Sequence, residues 1–144
     1  MLVYERTLPA TARSVSQLRH GAQDALGRYR PDPQVAEQVA LALSEAIANV
    51  VVHAYRDRGQ PGPVRAAVRL HGRCLEVRVG DDGCGIAPRP DSPGLGLGLA
   101  LMGCLSRRLD IQALDRGGTE VRMRFDLDHP QKTADTTAMA LAAT

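Results

Sequence analysis

Aromatic residues are scarce in this chain of 144 residues, which has no tryptophan, one phenylalanine and three tyrosines. Its core must therefore be built from valine, leucine, isoleucine and alanine, a composition that favours helices packed on a sheet. A chain of this length fits one domain that can bury a core without disulfides or metals. We expect a single domain over residues 1–128.

Cysteines are few as well, and Cys74, Cys84 and Cys104 are an odd number without CxxC spacing. That pattern argues against a disulfide framework and against a zinc site. The net charge of +2 is small and the basic residues are spread out, so no nucleic-acid footprint is predicted. No uninterrupted apolar run reaches the roughly 18 to 20 residues that span a bilayer, and no basic leader precedes an apolar stretch. We expect a cytoplasmic protein that binds neither nucleic acid nor membrane.

The patterning of the chain predicts an α+β fold. The predicted order is strand, helix, helix, two strands, helix, two strands, over residues 2–8, 11–27, 33–55, 64–70, 75–79, 95–107, 109–114 and 120–127. Asp32-Pro33 is a strong helix start, and Asp115-Arg-Gly-Gly118 is a strong hairpin turn. This order indicates a two-layer sandwich, a mainly antiparallel sheet with helices on one face. Residues 129–144, rich in alanine and threonine, are expected to form a disordered tail.

The second helix carries an acid in unusual surroundings. Glu45 is the only acid between Glu37 and His53, and Leu41, Ala42 and Val52 are expected to surround it. An ionised carboxylate there is costly unless it is paired, hydrogen-bonded or near a metal. Asn49 follows at i+4, so both side chains project into one volume. A carboxylate that can take a proton beside an amide oxygen that can ligate a hard cation suits Mg²⁺-assisted phosphoryl chemistry, although two unrelated surface residues are the alternative.

Two glycine-rich segments follow. Asp81-Asp-Gly-Cys-Gly-Ile86 comes directly off a predicted strand, and its glycines allow a close approach to a ligand. Asp81 could accept the exocyclic amine of a base such as adenine, but a solvent-exposed turn fits equally well. Gly94-Leu-Gly-Leu-Gly-Leu99 opens a helix, whose free amides suit phosphates. Close helix packing is the alternative for these glycines, and the pattern is neither a Walker A loop nor a dinucleotide fingerprint.

In this order and spacing, the three segments resemble the N, G1 and G2 boxes of the GHKL ATPase superfamily, over about residues 30 to 127. The resemblance implies the Bergerat fold, ATP and Mg²⁺, with Glu45 as general base, Asn49 as metal ligand and Asp81 as the partner of the adenine amine. The remaining nucleotide-binding residues that it implies are Gly83, Gly85 and Ile86 at the adenine, Gly94, Gly96, Leu97 and Gly98 at the phosphates, and Thr119 in the pocket wall. The short span from Ala87 to Pro93 implies a small lid.

Within the superfamily the chain looks most like the bacterial anti-sigma-factor serine/threonine kinases. This likeness rests on three features: the sequence Asn49-Val-Val-Val-His-Ala-Tyr55, the initial strand and helix, and the compact lid. It implies a homodimer that binds a sigma factor and phosphorylates a Ser or Thr of a STAS-type anti-anti-sigma antagonist. The alternatives are the catalytic module of a split histidine kinase and a nucleotide-dependent binding module without kinase activity. About 30 residues precede the second helix, too few for a dimerising helical hairpin, which disfavours the histidine kinase.

Overall fold

The computed structural model describes residues 1–84 and 95–132, with the side chains of residues 95 and 96 left aside. The elements in chain order are β1 Leu2–Pro9, α1 Ala12–Gly27, α2 Pro33–Asn49, β2 Pro63–His71, β3 Cys74–Asp81, α3 Leu95–Leu105, β4 Arg108–Ala113 and β5 Thr119–Asp126. A π-helical turn, Val50–Ala54, continues α2 without a break.

The five strands form one sheet in the order β1-β2-β3-β5-β4, and every neighbouring pair is antiparallel. Alternate residues of β2, β3 and β5 are buried, since they point towards the helices. All three helices contact the sheet, α1 at β1 and β2, α2 at β3 and β5, and α3 at β4. The predicted α+β sandwich with helices on one face is confirmed.

The other face of the sheet is charged and carries both signs, since Glu76 lies among arginines there. Glu76 on β3 is buried there, because arginines from two strands cover it. Its carboxylate lies 2.6 Å from Arg78 and 3.8 Å from Arg124. The burial of this acid is compensated by paired guanidinium groups.

The central helix begins and packs as its sequence predicts. Asp32 accepts a hydrogen bond from the Gln34 amide at 2.8 Å, which satisfies one free donor of the first turn. One apolar stripe of this helix is buried in the core, and comprises Val39, Leu43, Ile47, Val50 and Ala54. The continuous helix Pro33–Ala54 is long and apolar enough, by length and composition alone, to cross a membrane. However, 56% of its most apolar window is buried within the fold, and a buried core helix passes the same test of length and composition.

The third helix ends two residues before its predicted end at Arg107. The amide of Arg107 already donates to the Arg124 carbonyl of β5 at 2.7 Å, and Ser106 closes the last turn by donating from its hydroxyl to Met102 at 2.7 Å. Both hairpin turns lie where predicted, with Gly72 at φ +62° and Gly117 at φ +89°. The hydrogen bond of Arg107 to β5 therefore ends the helix before its predicted last residue.

The segment after β5 returns to the start of α2. The Asp32 amide donates to the Leu127 carbonyl at 2.9 Å. Gln131 then donates its amide to Oε1 of Gln38 at 3.1 Å, and Nε2 of Gln38 donates to the Gln131 carbonyl at 2.9 Å. This two-bond contact anchors the first residues of the predicted tail. The predicted disorder of residues 129–144 stays a prediction, since residues 133–144 lie outside the described part of the chain.

Candidate functional site

Glu45 and Asn49 lie side by side on α2 and face the first turns of α3. A Cβ built on Gly98 would lie 3.3 Å from both Glu45 Oε2 and Asn49 Nδ2. That separation is tighter than an ordinary van der Waals contact, so a side chain at residue 98 would push the two polar groups back by a few tenths of an ångström. The structure thus brings together the acid, the amide and one predicted phosphate glycine.

The surroundings of Glu45 differ from the enclosed apolar environment that the sequence suggests. Ala42 is buried, but Leu41 and Val52 are 43% and 61% exposed, and Glu45 itself is half-buried. The apolar neighbours of the acid are therefore outward-facing side chains, because this side of α2 has no covering element among the described residues. Glu45 is accessible from solvent on that side.

Asp81 is fully buried at the end of β3. Its Oδ1 accepts the Gly83 amide at 2.8 Å, whereas Oδ2 is buried and has no hydrogen-bond partner among the described residues. Burial raises the pKa of this carboxyl, although the Gly83 amide and the Arg65 guanidinium act in the opposite direction. A buried acceptor left without a donor costs free energy in the free protein, which is a common sign of a binding position.

The chain after Asp81 is fixed against the end of α2. A Cβ on Gly83 would lie 2.0 Å from the Ala54 carbonyl oxygen, so only glycine fits there. The next amide, that of Cys84, donates to the same carbonyl at 2.9 Å. Single π-helical turns are often found at functional sites. Here the turn at Val50–Ala54 presents a carbonyl that receives the G1 segment, so α2 positions both groups of candidate residues.

A further set of contacts around Asp82 was not predicted from the sequence. Arg65 on β2 binds the Asp82 carboxylate with two hydrogen bonds of 2.9 and 3.1 Å, which holds the pKa of that carboxyl below its usual value. The Asp82 amide donates to the hydroxyl of buried Tyr55 at 2.8 Å, and that hydroxyl donates to the Pro63 carbonyl. These residues hold the backbone that carries Asp81. No local motif marks them, because their contacts join three separate segments.

Thr119 opens β5 directly opposite Asp81 in the strand register and is buried. The preceding residue, Gly118, has φ +91°, and a Cβ there would lie 2.0 Å from the Asp81 carbonyl oxygen. Glycine is required at this position for both reasons. The structure therefore places Thr119 beside Asp81, as the predicted pocket wall requires.

The predicted glycine segments are described only in part. Gly96, Leu97 and Gly98 lie in the first turns of α3, where Gly98 is buried and the Leu97 side chain is 48% exposed. Gly85, Ile86 and Gly94 lie outside the described residues, as does the predicted lid from Ala87 to Pro93.

The described donors and acceptors fit a nucleotide with a divalent cation. Asp81 Oδ2 is a buried acceptor, and the Asn49 Nδ2 atom is likewise buried without a partner among the described residues. Rotation about the last side-chain bond exchanges the amide nitrogen and oxygen, so Asn49 can present either atom to a ligand. No group of three or more His, Cys, Asp or Glu residues that could hold a metal lies within residues 1–84 and 95–132. Mg²⁺ takes oxygen ligands, keeps several waters and binds substrate phosphates, so a single side-chain oxygen from Asn49 is compatible with it.

Comparisons with known proteins agree with this geometry. Residues 8–125 match the family model of the histidine kinase-like ATPase domain. An anti-sigma F factor of Clostridium novyi is 29% identical over 109 residues, which cover 67% of this chain and 76% of that protein. An anti-sigma F factor of Clostridium botulinum is 26% identical over 137 residues, which cover 85% of this chain and 95% of the relative.

Two solved structures share the fold. The RsbU and RsbW domains of a Mycobacterium tuberculosis protein give a TM-score of 0.70 at 24% identity, over 90% of this chain and 33% of that one. The histidine kinase domain of a blue-light activated kinase from Erythrobacter litoralis gives 0.54 at 20% identity, over 92% of this chain and 64% of the other. This chain thus spans about a third of the two-domain structure.

Proposed function

Because the chain belongs to the family of histidine kinase-like ATPase domains, we propose that it is an ATP-dependent anti-sigma factor with serine/threonine kinase activity. It binds a sigma factor and phosphorylates a Ser or Thr of a STAS-type anti-anti-sigma antagonist. The observation that carries the kinase assignment is the meeting of Glu45 and Asn49 at Gly98. The names of the curated relatives, anti-sigma F factors, support the regulatory assignment.

ATP is the nucleotide expected for this family, and Asp81 is the residue that selects its base. The buried Oδ2 atom has no donor among the described residues, and the exocyclic amine of adenine supplies one. The hydrogen bond is then made to a carboxylate in a dry environment, where it is strong. Gly83, Gly85, Ile86 and Thr119 complete the proposed base pocket.

Asn49 would hold Mg²⁺ through its side-chain oxygen, with the remaining positions filled by phosphate oxygens and water. When bound, the ion would neutralise charge on the phosphates. The amides of Gly94, Gly96, Leu97 and Gly98 would receive the phosphate oxygens at the start of α3, where the helix dipole favours anions.

Glu45 is the proposed general base. The hydroxyl oxygen of the acceptor Ser or Thr attacks the γ-phosphorus of ATP, the bond from that phosphorus to the β–γ bridging oxygen breaks, and ADP leaves. The Glu45 carboxylate takes the hydroxyl proton. Its half-buried position beside Asn49 allows it to meet an acceptor that comes from solvent.

Glu45→Gln separates binding from chemistry, since it keeps the shape of the side chain. We expect the affinity for Mg-ATP by calorimetry to stay within about threefold, whereas phosphotransfer falls by a factor of about 10² to 10⁴. In the wild type, a nucleotide concentration a hundred times Kd should stabilise the fold by about 2.7 kcal/mol in a melting experiment. No stabilisation by millimolar Mg-ATP would refute the nucleotide site, and full transfer by the variant would refute the base.

The partners and state are proposed from the same likeness: a sigma factor, a STAS-domain antagonist, and a homodimer in the cytoplasm that contacts neither nucleic acid nor membrane directly. A pull-down with a STAS-domain protein of the same genome, followed by phosphosite mapping, tests the kinase assignment. Acid-stable phosphate on Ser or Thr supports it.

A split histidine kinase module is the second candidate, favoured by the fold shared with the Erythrobacter litoralis kinase domain. Acid-labile phosphate on a histidine of a separate chain would support that candidate instead. ATP binding with no transfer to either acceptor would leave a nucleotide-dependent binding module.

A further inference from the structure

Exposed apolar side chains are concentrated around Glu45. Within the described part of the chain, the large hydrophobic side chains that remain exposed are Met1, Leu2, Leu41, Val52, Leu97 and Ile111. Half of them, Leu41, Val52 and Leu97, belong to α2 with its π-helical turn and to the first turn of α3. A patch of this kind beside a polar site is a common sign of an interaction surface.

Leu41, Ala48 and Val52 form one line along α2, which we call the α2 ridge. The spacings from Leu41 to Glu45, from Glu45 to Ala48 and from Ala48 to Val52 are four, three and four residues, so the four side chains are neighbours on one helix face. Asn49 and Gly98 lie on the other side of Glu45. The carboxylate is therefore bordered by α3 on one side and by an exposed apolar surface on the other.

This arrangement restricts how an acceptor hydroxyl can reach Glu45. The side towards α3 is where the proposed phosphates lie, since the Gly98 backbone borders both polar side chains there. Among the described residues, Leu41 and Val52 are the exposed side chains that a protein meets when it brings a hydroxyl to the carboxylate from the opposite side. An apolar contact there also excludes water, which would otherwise compete with the acceptor hydroxyl for the phosphoryl group.

We propose that the α2 ridge is the docking surface for the protein substrate, and that it recognises aliphatic side chains flanking the phosphoacceptor Ser or Thr. The ridge carries no charge of its own and is continuous with the proposed catalytic site, so an apolar partner surface fits it better than a charged one. This inference rests on the proposed kinase function.

The test compares Leu41→Asp and Val52→Asp with Ile111→Asp, a matched control of 41% exposure on edge strand β4. Each STAS-domain protein of the same genome is offered as substrate with labelled ATP. We expect both ridge variants to raise KM for the protein substrate by about tenfold or more, as a charge in the centre of an interface does. Affinity for a non-hydrolysable Mg-ATP analogue should stay within about twofold, and the control should match the wild type.

Val52→Thr is a second, isosteric variant that does not depend on tolerance of a charge, and it should raise KM in the same direction by a smaller factor. Equal KM in all folded variants would overturn the inference. Loss of nucleotide affinity in the ridge variants would overturn the inference too. It would indicate that the ridge contacts residues 85–94 of this chain and not a protein substrate. A change in the sedimentation mass of the ridge variants would also overturn the inference, because the ridge would then be a contact with a second copy of this chain.

Failure of the kinase proposal is distinguishable from these results. It would show as a wild-type protein that binds Mg-ATP but transfers phosphate to no STAS-domain protein, and the docking inference would fall with it.

Discussion

Replacing Asp81 with asparagine tests the base pocket most directly. The substitution keeps an oxygen that can accept the Gly83 amide, but it puts an NH₂ group where Oδ2 is buried without a partner. Losing a hydrogen bond from the adenine amine to a carboxylate costs about 1.5 to 3 kcal/mol. The NH₂ group of the new asparagine would also face the adenine amine, and burying these two donors against each other costs about 1 to 3 kcal/mol more. Together these give at least about 2.5 kcal/mol, so affinity for Mg-ATP should fall at least about 70-fold.

The same substitution should also remove a pH dependence from the stability of the free protein. Burial raises the pKa of the Asp81 carboxyl in the fold, so the folded state binds its proton more tightly than the unfolded state does. The wild type therefore loses stability as the pH rises from about 4, the unfolded value, through the folded pKa. Asparagine does not titrate, so this loss is absent in the variant, and the stability difference should grow over that range and then stay constant.

Calorimetry with Mg-ATP and urea denaturation between pH 4 and 8 measure the two effects. Asp110→Asn is the control, since Asp110 on β4 is only half-buried and pairs with Arg108, which lowers the pKa of its carboxyl. Its stability contribution has the opposite sign: it is present above the unfolded pKa and is lost as pH falls through the folded pKa. Because solvent screens this pair, its contribution to stability should be small, and its removal should leave nucleotide affinity unchanged. An Asp81→Asn protein that binds ATP normally, or whose stability relative to the wild type does not increase as the pH rises from 4 to 8, would refute the reasoning.

Three other substitutions address contacts that position the site. Gly98→Ala should keep or raise thermal stability, since alanine favours helix by up to about 1 kcal/mol. Its methyl displaces the Glu45 carboxylate, so phosphotransfer should fall about tenfold or more, and unchanged kcat would contradict the contact. Tyr55→Phe leaves the Asp82 amide and the Pro63 carbonyl without their shared partner and should cost about 1 to 3 kcal/mol of unfolding free energy, with weaker ATP binding as its second readout. Gln38→Ala should release the Gln131 main chain and speed amide exchange there, whereas unaltered exchange would show that other contacts hold this segment.

Local signals in the sequence predicted most of the fold. Asp32-Pro33 starts α2 where expected, because both the cap and the proline act within one turn. The strands β2 and β3 form where the ranges 64–70 and 75–79 predict them, each extended by one or two residues at its ends. The end of α3 was wrong by two residues because the Arg107 amide bonds to β5, a partner far away in sequence.

The candidate site was predicted as residue types but not as geometry. The i, i+4 spacing of Glu45 and Asn49 follows from helix pitch alone. The π-helical turn has no sequence signature, and Tyr55, Arg65 and Asp82 meet only after three segments have folded together. The exposure of Leu41 and Val52 was missed as well, because apolar side chains on a core helix are expected to be buried.

In the proposed site, the attachment of the Cys84 segment to Ala54 also sets the length of the ligand that fits. Asn49 lies on α2 and Asp81 precedes a turn that bonds to the end of the same helix, so main-chain hydrogen bonds set the separation of the two ends of the site. The ratio of the affinities for ATP and ADP should therefore change little when side chains between Asn49 and Asp81 are substituted. Deleting one residue from Val50–Ala54 would restore α-helical pitch and turn the Ala54 carbonyl by about 100°, which would shift one end of the site relative to the other.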